Sequence, residues 1–341
     1  TLLYKDPVFD FSLEYPSTFV LFDRSDDPNA ISEVLTFQST TTGEKIIVGH
    51  LLAEIKPETP LEEWVILYES VSTPFLESEL ERGNFQRILD GKSITRDGES
   101  PLGYHRNTYI VSGNVVWFIW TNEEDSNYYE LFVKSFKMGS DMPRTLRDIY
   151  GEDFQPLKLD QVVKTSQQNG SKEQTSLSDS LPNYLQAKNM PSSPVMLSSS
   201  FWSPVLNTSA GPYGVTCGHS GSELYGVDAP TNNWTNVYAV NSGSVVFAGW
   251  DVNYGNYIKM LHSGSLYSYS AHLNAIYTYT GANHNRGDFI GKTGNTGNSF
   301  GPHLHFHIDN TSLVGMTGFN TSIYTYPTPS GSGAVCGLLG R

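Results

Sequence analysis

The first 157 residues alternate between short apolar stretches with a two-residue period and segments whose apolar positions follow a helical period. Residues 8–22 have Pro16 inside an apolar stretch and predict two strands joined by a turn. Two more pairs of apolar runs flank turns that contain glycine, which is typical of antiparallel hairpins. These predicted hairpins pair residues 35–39 with 45–55 and residues 108–111 with 115–120.

Two segments in this region predict helices that would lie on the sheet. Thr59 and Pro60 precede two glutamates, and a cap residue, an early proline and acids in the first turn together mark a helix start. Residues 1–157 are therefore expected to form an α+β domain, an antiparallel sheet with helices. The second predicted helix, over residues 125–138, carries apolar side chains at helical spacing at Tyr129, Phe132, Val133 and Phe136.

Residues 158–200 break this pattern and predict a linker. Gln, Ser, Asn and Lys dominate from Gln161 to Ser180, and Ser and Pro recur at residues 191–194. Such a composition cannot bury enough apolar surface to fold alone.

From Val237 onward the pattern changes to short apolar stretches separated by turns such as Asn-Ser-Gly at 241–243 and Asn-Tyr-Gly at 253–255. No helical period is evident there. The pattern predicts an all-β antiparallel domain over residues 201–327, followed by a Gly- and Ser-rich tail at 328–341.

The strand predicted over residues 301–308 carries the candidate chemistry. Residues two apart in a strand project from the same face, so His303, His305 and His307 would point together, with the intervening apolar residues on the opposite face. Neutral imidazole is a common zinc ligand, so the row of histidines favours a metal site. The alternative is a solvent-facing row of histidines on an edge strand.

Composition and charge narrow the possible functions. The chain has 341 residues, enough for two domains with cores, and 38% apolar and 13% aromatic residues suit a globular β-leaning protein. Residues 1–157 hold 27 acids and 13 bases, a net charge of −14, whereas residues 201–341 hold five acids and four bases. The acidity argues against nucleic-acid binding and indicates a solubilising surface.

The hydropathy of the chain and its first residues bear on where the protein is located. No run of about 20 apolar residues predicts a transmembrane segment. The chain opens at Thr1 with neither a start Met nor a signal peptide, so we expect a mature or trimmed form whose export signal is out of view.

From His219 to Ile308 the sequence resembles the lysostaphin-type (LytM or β-lytic) zinc endopeptidases, which cut peptides in bacterial cell walls. The resemblance implies a metallopeptidase that acts on peptidoglycan outside the cytoplasm. Much more weakly, residues 11–17 are similar to the start of PsbP-like domains, and no function is carried from that. The landmarks of the endopeptidase family appear in its order at residues 237–240, 248–250, 254–257, 271–273, 287–291, 294–297 and 301–306.

The resemblance implies a zinc site on His219, Asp228 and His305, with His272 and His303 as catalytic histidines. Two imidazoles and one carboxylate leave a fourth tetrahedral position for water, as in catalytic zinc sites. One histidine would take a proton from water, the other would stabilise the oxyanion, and one would later protonate the leaving amine. Which histidine does which stays open.

Two departures from the family pattern affect this assignment. His219 and Asp228 are nine residues apart, whereas many members place the two ligands four apart, which would put Leu224 at the ligand position. An inserted loop at residues 220–224 is the interpretation we prefer. The second departure is His307, where glutamate is common; it either supports the metal ligands or is simply exposed.

Other functions were weighed against this one. Residues 297–301 match the Gly-x-Ser-x-Gly pattern of serine hydrolases, but that elbow needs a helix after it, and here Pro302 and a strand follow. A degenerate family member that binds the wall or a partner without cutting is the alternative to an enzyme. It would contain no zinc, whereas the enzyme would hold near one ion per chain.

Four other histidines and one tyrosine are not among the proposed zinc ligands and catalytic residues. His50 and His105 are isolated and are interpreted as structural, and His262 and His284 as exposed in turns. Tyr213 could reach the oxyanion or could simply pack.

The two cysteines, Cys217 and Cys336, are expected to form a disulfide in an extracytoplasmic enzyme, with Cys217 as a zinc ligand or two free thiols as alternatives.

Overall fold

The computed structural model describes residues 1–25, 27–75, 80–87, 92–159, 205–206, 213–214, 226–263, 266–308 and 319–320. These residues form two compact units. The first unit takes in the described part of 1–159 and the second the described part of 205–320, except that Asn29–Ile31 group with the second unit and Trp250–Asn253 with the first. None of the helices in the described ranges is long and apolar enough to cross a membrane.

The first unit is an α+β structure built on antiparallel pairing, as predicted. Its main sheet runs in the order β3-β5-β6-β11-β10-β9-β7 with β8 paired to β9, and a smaller sheet runs β1-β2-β12. The strands are β1 Leu2–Lys5, β2 Phe11–Tyr15, β3 Phe19–Phe22, β4 Ser32–Glu33, β5 Leu35–Ser39, β6 Lys45–Glu54, β7 Glu81–Arg82, β8 Gln86–Arg87, β9 Ser93–Ser100, β10 Gly103–Ser112, β11 Val115–Thr121 and β12 Lys137–Met138. The helices are α1 Leu61–Ser72, α2 Tyr129–Ser135 and α3 Leu146–Tyr150.

Both predicted helices form, but each begins later than its sequence pattern predicts. Pro60 keeps an extended ψ of 131°, so α1 begins at Leu61. Pro60 rather than Thr59 therefore occupies the N-cap position, and no side-chain cap bond is made there. The start of α2 is delayed to Tyr129, whose backbone N–H donates to Ser126 Oγ at 2.9 Å. Tyr129, Phe132 and Val133 are buried, so the helical period correctly marks the face that packs on the sheet.

The second unit is an all-β structure within its described residues, as predicted. Its sheet runs in the order β14-β21-β18-β17-β16-β19, β20 pairs with β15 and β18, and β13 pairs with β22 in parallel. The strands are β13 Tyr213–Gly214, β14 Val227–Pro230, β15 Asn236–Tyr238, β16 Gly243–Asp251, β17 Gly255–His262, β18 Leu266–Ile276, β19 Asn283–His284, β20 Phe289–Thr293, β21 His303–Ile308 and β22 Phe319–Asn320.

The histidine strand β21 lies inside this sheet, between β14 and β18. Leu304, Phe306 and Ile308 are buried in the hydrophobic core of the unit, where Val227 and Leu273 from the neighbouring strands also lie. The alternative of a solvent-facing edge strand is therefore wrong: two partners fix the backbone of β21 and hold its histidine face in place.

Candidate active site

The strand register brings a carboxylate directly opposite the middle histidine of β21. Asp228 on β14 pairs with His305, and on the other side Ala271 of β18 pairs with the same histidine. Side chains opposite each other in an antiparallel pair lie on one face. Accordingly, Asp228 Oδ1 is 3.0 Å from His305 Nδ1 and 3.5 Å from His303 Nε2.

A bulge in β18 turns His272 toward the same group of residues. Ala271 is the residue opposite His305, so the next residue of a regular strand would point to the other face of the sheet. The pairing of β17 with β18 is irregular between Asn256 and Ile258, and His272 has a φ of +60°. Bulges of this kind re-aim side chains. Here the rings of His272 and His303 come to a centroid separation of 4.7 Å.

Backbone carbonyls orient the rings of His272 and His303. His272 Nδ1 is 2.8 Å from the Thr296 carbonyl oxygen, and His303 Nδ1 is 2.8 Å from the Gly301 carbonyl oxygen. A carbonyl only accepts hydrogen bonds, so Nδ1–H is the donor in both rings. The Nε2 atom of each ring is therefore the nitrogen available to accept a proton, and in His303 it faces Asp228.

Thr296 fixes the position of the carbonyl that holds His272. Its hydroxyl donates to the Leu273 carbonyl at 2.8 Å and accepts the Asn256 N–H at 3.2 Å. Gly255, at a φ of +64°, makes this approach possible, because a Cβ there would lie 2.3 Å from Thr296 Oγ1. Thr296 was not predicted to have a role of its own, although residues 294–297 belong to the family landmarks.

The site is buried at His272 and His305 and open to solvent at its carboxylate. The side chain of Asp228 is 30% exposed, whereas that of His305 is 2% exposed. Burial, followed by the nearby His303 and His305 rings, lowers the pKa of His272 well below its usual range. His272 is consequently a neutral imidazole at neutral pH.

Two further side chains contact His305 on the side away from Asp228. His307 Nδ1 is 3.0 Å from His305 Nε2, and Tyr254 Oη is 3.4 Å from the same nitrogen. His307 is buried, which excludes the alternative of an exposed histidine. Tyr254 was not predicted; only its place in the landmark at 254–257 marked it.

A metal ion fits the donors that the structure brings together. Asp228 Oδ1 and His305 Nδ1 are an oxygen and an imidazole nitrogen 3.0 Å apart, the donor types that zinc takes, on a carboxylate that reaches solvent. Among the described residues no group of three or more potential ligands is found. The third predicted ligand, His219, lies outside the described residues, as do Cys217, Cys336 and the side chain of Tyr213.

The serine-hydrolase alternative does not agree with this geometry. The loop that contains Ser299 leads into strand β21 rather than into a helix. Ser299 Oγ donates its hydrogen to the Gly301 carbonyl at 3.0 Å, so the nearby His303 Nδ1, at 3.1 Å, is not positioned to take that proton.

His262 and His284, the other described histidines of the second unit, have ordinary structural partners. His262 was predicted to be exposed, and this is wrong: it ends β17, is buried, and its two nitrogens contact the Ser242 carbonyl at 3.1 Å and Ser268 Oγ at 2.8 Å. Burial lowers its pKa. His284 lies 2.7 Å from Thr278 Oγ1 and is half-buried rather than exposed.

Comparison with known proteins identifies the family of this unit. Residues 222–315 match the model of peptidase family M23. Lysostaphin of Staphylococcus simulans is 39% identical over 99 residues, which are 28% of this chain and 20% of that protein. Peptidoglycan DD-endopeptidase ShyA of Vibrio cholerae is 36% identical over 74 residues, 22% of this chain and 17% of that protein.

Among solved structures, the catalytic domain of lysostaphin from Staphylococcus simulans is 36% identical, with a TM-score of 0.26, and the match covers 30% of this chain and 77% of that one. The chain spans about a fifth of the length of the curated relatives it matches. The match with family M23 contains Asp228, His272, His303 and His305, the residues that meet in the structure. Residues 222–315 therefore belong to peptidase family M23 and are of the lysostaphin/LytM type.

Proposed function

We propose that the C-terminal domain is a zinc-dependent endopeptidase that hydrolyses peptide bonds in bacterial cell-wall peptidoglycan. The observation that carries the proposal is the convergence of Asp228, His272, His303 and His305 within a peptidase family M23 domain. The name of the Vibrio cholerae relative gives peptidoglycan as its substrate, and this supports the same substrate class here. Because that polymer lies outside the cytoplasm, we propose an extracytoplasmic location.

His219, Asp228 and His305 are the proposed ligands. Zinc bound there would polarise the scissile carbonyl and lower the pKa of a water molecule toward neutrality. The exposed side of Asp228 supports this role, since substrate and water must reach the ion. His305 Nδ1, which faces Asp228 Oδ1, is the nitrogen that would act as ligand.

His272 and His303 are the proposed proton-transfer residues. Each donates Nδ1–H to a backbone carbonyl, which fixes its ring and leaves Nε2 to exchange protons with the reacting groups. The Nε2 of one ring accepts the proton of the attacking water. The other ring donates a hydrogen bond to the oxyanion when it is an imidazolium, because its Nδ1–H is already given to a carbonyl and Nε2 must carry a second proton. An imidazolium ring then returns a proton to the leaving amine.

The direct test uses the full chain and purified peptidoglycans of differing peptide composition, with and without a chelator. We expect new peptide termini, identified by mass, that are absent with chelator and restored by zinc. His305→Ala should abolish both zinc uptake and release of termini, because it removes one of three ligands.

Failure would take one of two recognisable forms. A chain that holds zinc near zero and releases no termini would instead fit a binding module that no longer cuts. Full zinc content in His305→Ala would contradict the assignment of His305 as a ligand. The release of peptide termini by the wild-type chain would still test the proposed substrate.

A further inference from the structure

On its buried side, His305 contacts a second histidine, His307, which has no part in the proposed reaction. His305 is 1% exposed, and both of its ring nitrogens have polar neighbours: Nδ1 faces Asp228 Oδ1 at 3.0 Å, and Nε2 faces His307 Nδ1 at 3.0 Å. Tyr254 Oη is a more distant neighbour of Nε2, at 3.4 Å. The two nitrogens of this ring therefore contact different partners, Nδ1 the carboxylate and Nε2 the second histidine.

The position of the proton on His305 follows from the direction of the ligating nitrogen. A neutral imidazole that binds a metal ion through one nitrogen carries its single proton on the other. If Nδ1 is the ligand, Nε2 must be the N–H donor, and a buried N–H without an acceptor is costly. His307 Nδ1 is the atom at normal hydrogen-bond distance from it.

His307 is held in a fixed orientation by its cross-strand partner. Tyr269 of β18 pairs directly with His307 in the register, and the two rings stack at a centroid separation of 4.1 Å with an interplanar angle of 15°. Lys259 Nζ lies 4.7 Å from the centroid of the same Tyr269 ring. The plane of His307, and with it the direction in which its Nδ1 points, is therefore set by the sheet.

We infer that His307 is a positioning residue for zinc. It accepts the Nε2–H of His305, which selects the tautomer of His305 whose Nδ1 is unprotonated and directed at the ion. This inference rests on the proposed function, because it gives His305 Nδ1 the role of ligand. It assigns a task to a buried histidine that neither binds the ion nor touches substrate.

Two variants separate the acceptor from the packing of the ring. His307→Phe keeps a ring against Tyr269 but has no acceptor, whereas His307→Asn places its Oδ1 near the position of the lost Nδ1 and gives up most of the ring. The zinc dissociation constant of the full chain is measured by competition with a chelating indicator, and thermal unfolding without zinc shows that each variant is folded.

We expect His307→Phe to weaken zinc binding about 10- to 100-fold, as loss of a hydrogen-bond partner of a metal ligand typically does. His307→Asn should stay within about threefold of the wild-type constant. Tyr254→Phe, which removes the more distant neighbour of Nε2, is the matched control and should leave the constant nearly unchanged.

An unchanged constant in His307→Phe, or an equal loss in the Phe and Asn variants, overturns the inference, because packing rather than the acceptor would then explain the effect. A wild-type chain that takes up no zinc overturns the proposed function as well. The two failures are distinguishable, because the first leaves wild-type binding intact.

Discussion

The described parts of both units bury histidines, but in different ways. In the first unit, His50 packs against the rings of both Phe9 and Trp117, and its Nε2 is 2.6 Å from Tyr150 Oη. In the second unit, His303 and His305 face Asp228, and the ring centroid of His272 lies 4.7 Å from that of His303 and 6.1 Å from that of His305.

This difference shows that burial alone does not identify a functional histidine. His50 and His272 are both almost fully buried, and burial lowers the pKa of both. His50 is surrounded by aromatic rings and has one hydroxyl partner. The ring nitrogens of the second unit instead face a carboxylate, backbone carbonyls or one another, and that shared direction is what marks a site.

The largest expected effect is a loss of turnover when a proposed catalytic histidine is replaced and the proposed zinc ligands are kept. His272→Ala and His303→Ala should each lower turnover about 10²-fold or more, because each removes one of the two proposed proton-transfer groups. Zinc content should remain near that of the wild type, since neither residue is a proposed ligand. Turnover and metal content are measured on the same preparations.

His262→Ala is the matched control within the same unit. His262 is buried and contacts Ser242 and Ser268 at the turn end of the β17–β18 hairpin, away from the site. Its loss should therefore lower stability and leave turnover per folded molecule unchanged. Normal hydrolysis by His272→Ala or His303→Ala would remove that residue from the proposed mechanism.

A smaller effect is expected in the first unit when the pH falls. Burial, and then the charge of Arg24, lower the pKa of His50 from 6.5 to about 3. The unfolded chain therefore binds a proton that the folded chain excludes, and stability is complete above pH 6.5 and lost as pH falls toward 3. Between pH 7.5 and 5.0 His50 should account for a loss of about 2 kcal/mol in the free energy of unfolding.

This pH dependence is measured by hydrogen exchange on peptides that contain β6, where His50 lies. The same segment in His50→Phe should lose correspondingly less stability over that interval, because the titrating group is gone. The remaining slope would come in part from His105, whose pKa burial and the charges of Arg82 and Arg96 lower to about 4. An unchanged slope in His50→Phe would show that other groups dominate.

Taken together, the histidines show what the sequence could and could not predict. Alternation along β21 correctly predicted a shared face for His303, His305 and His307, because a strand between two partners keeps its period of two. The role of His272 was inferred from family resemblance alone, since its orientation depends on a bulge and a left-handed backbone that no period reveals.

Hydrogen-bond partners distant along the chain were the hardest features to predict. Thr296 and Tyr254 contact site histidines across separations of 24 and 51 residues, and no local pattern joins them. The same limit explains His262, whose short Ser-Gly turn suggested exposure although its partner Ser242 comes 20 residues earlier and buries it.

The smallest expected effect concerns the independence of the two units. Limited proteolysis should cut first within residues 158–200, because that polar composition predicts a linker. The released C-terminal fragment should hydrolyse peptidoglycan within about twofold of the intact chain. A marked gain in activity on trimming would instead indicate that the N-terminal domain restrains the enzyme.

His272 also bears on how this domain would change if selection for hydrolysis ceased. A histidine at a φ of +60° is less favourable than glycine or asparagine in the same conformation, by an amount of order 1 kcal/mol. Replacing His272 with glycine or asparagine would relieve backbone strain, whereas replacing Leu304 or Phe306 with a smaller residue would leave a cavity in the core. If the fold were kept only for binding, His272 should thus be among the first of the proposed site residues to be replaced.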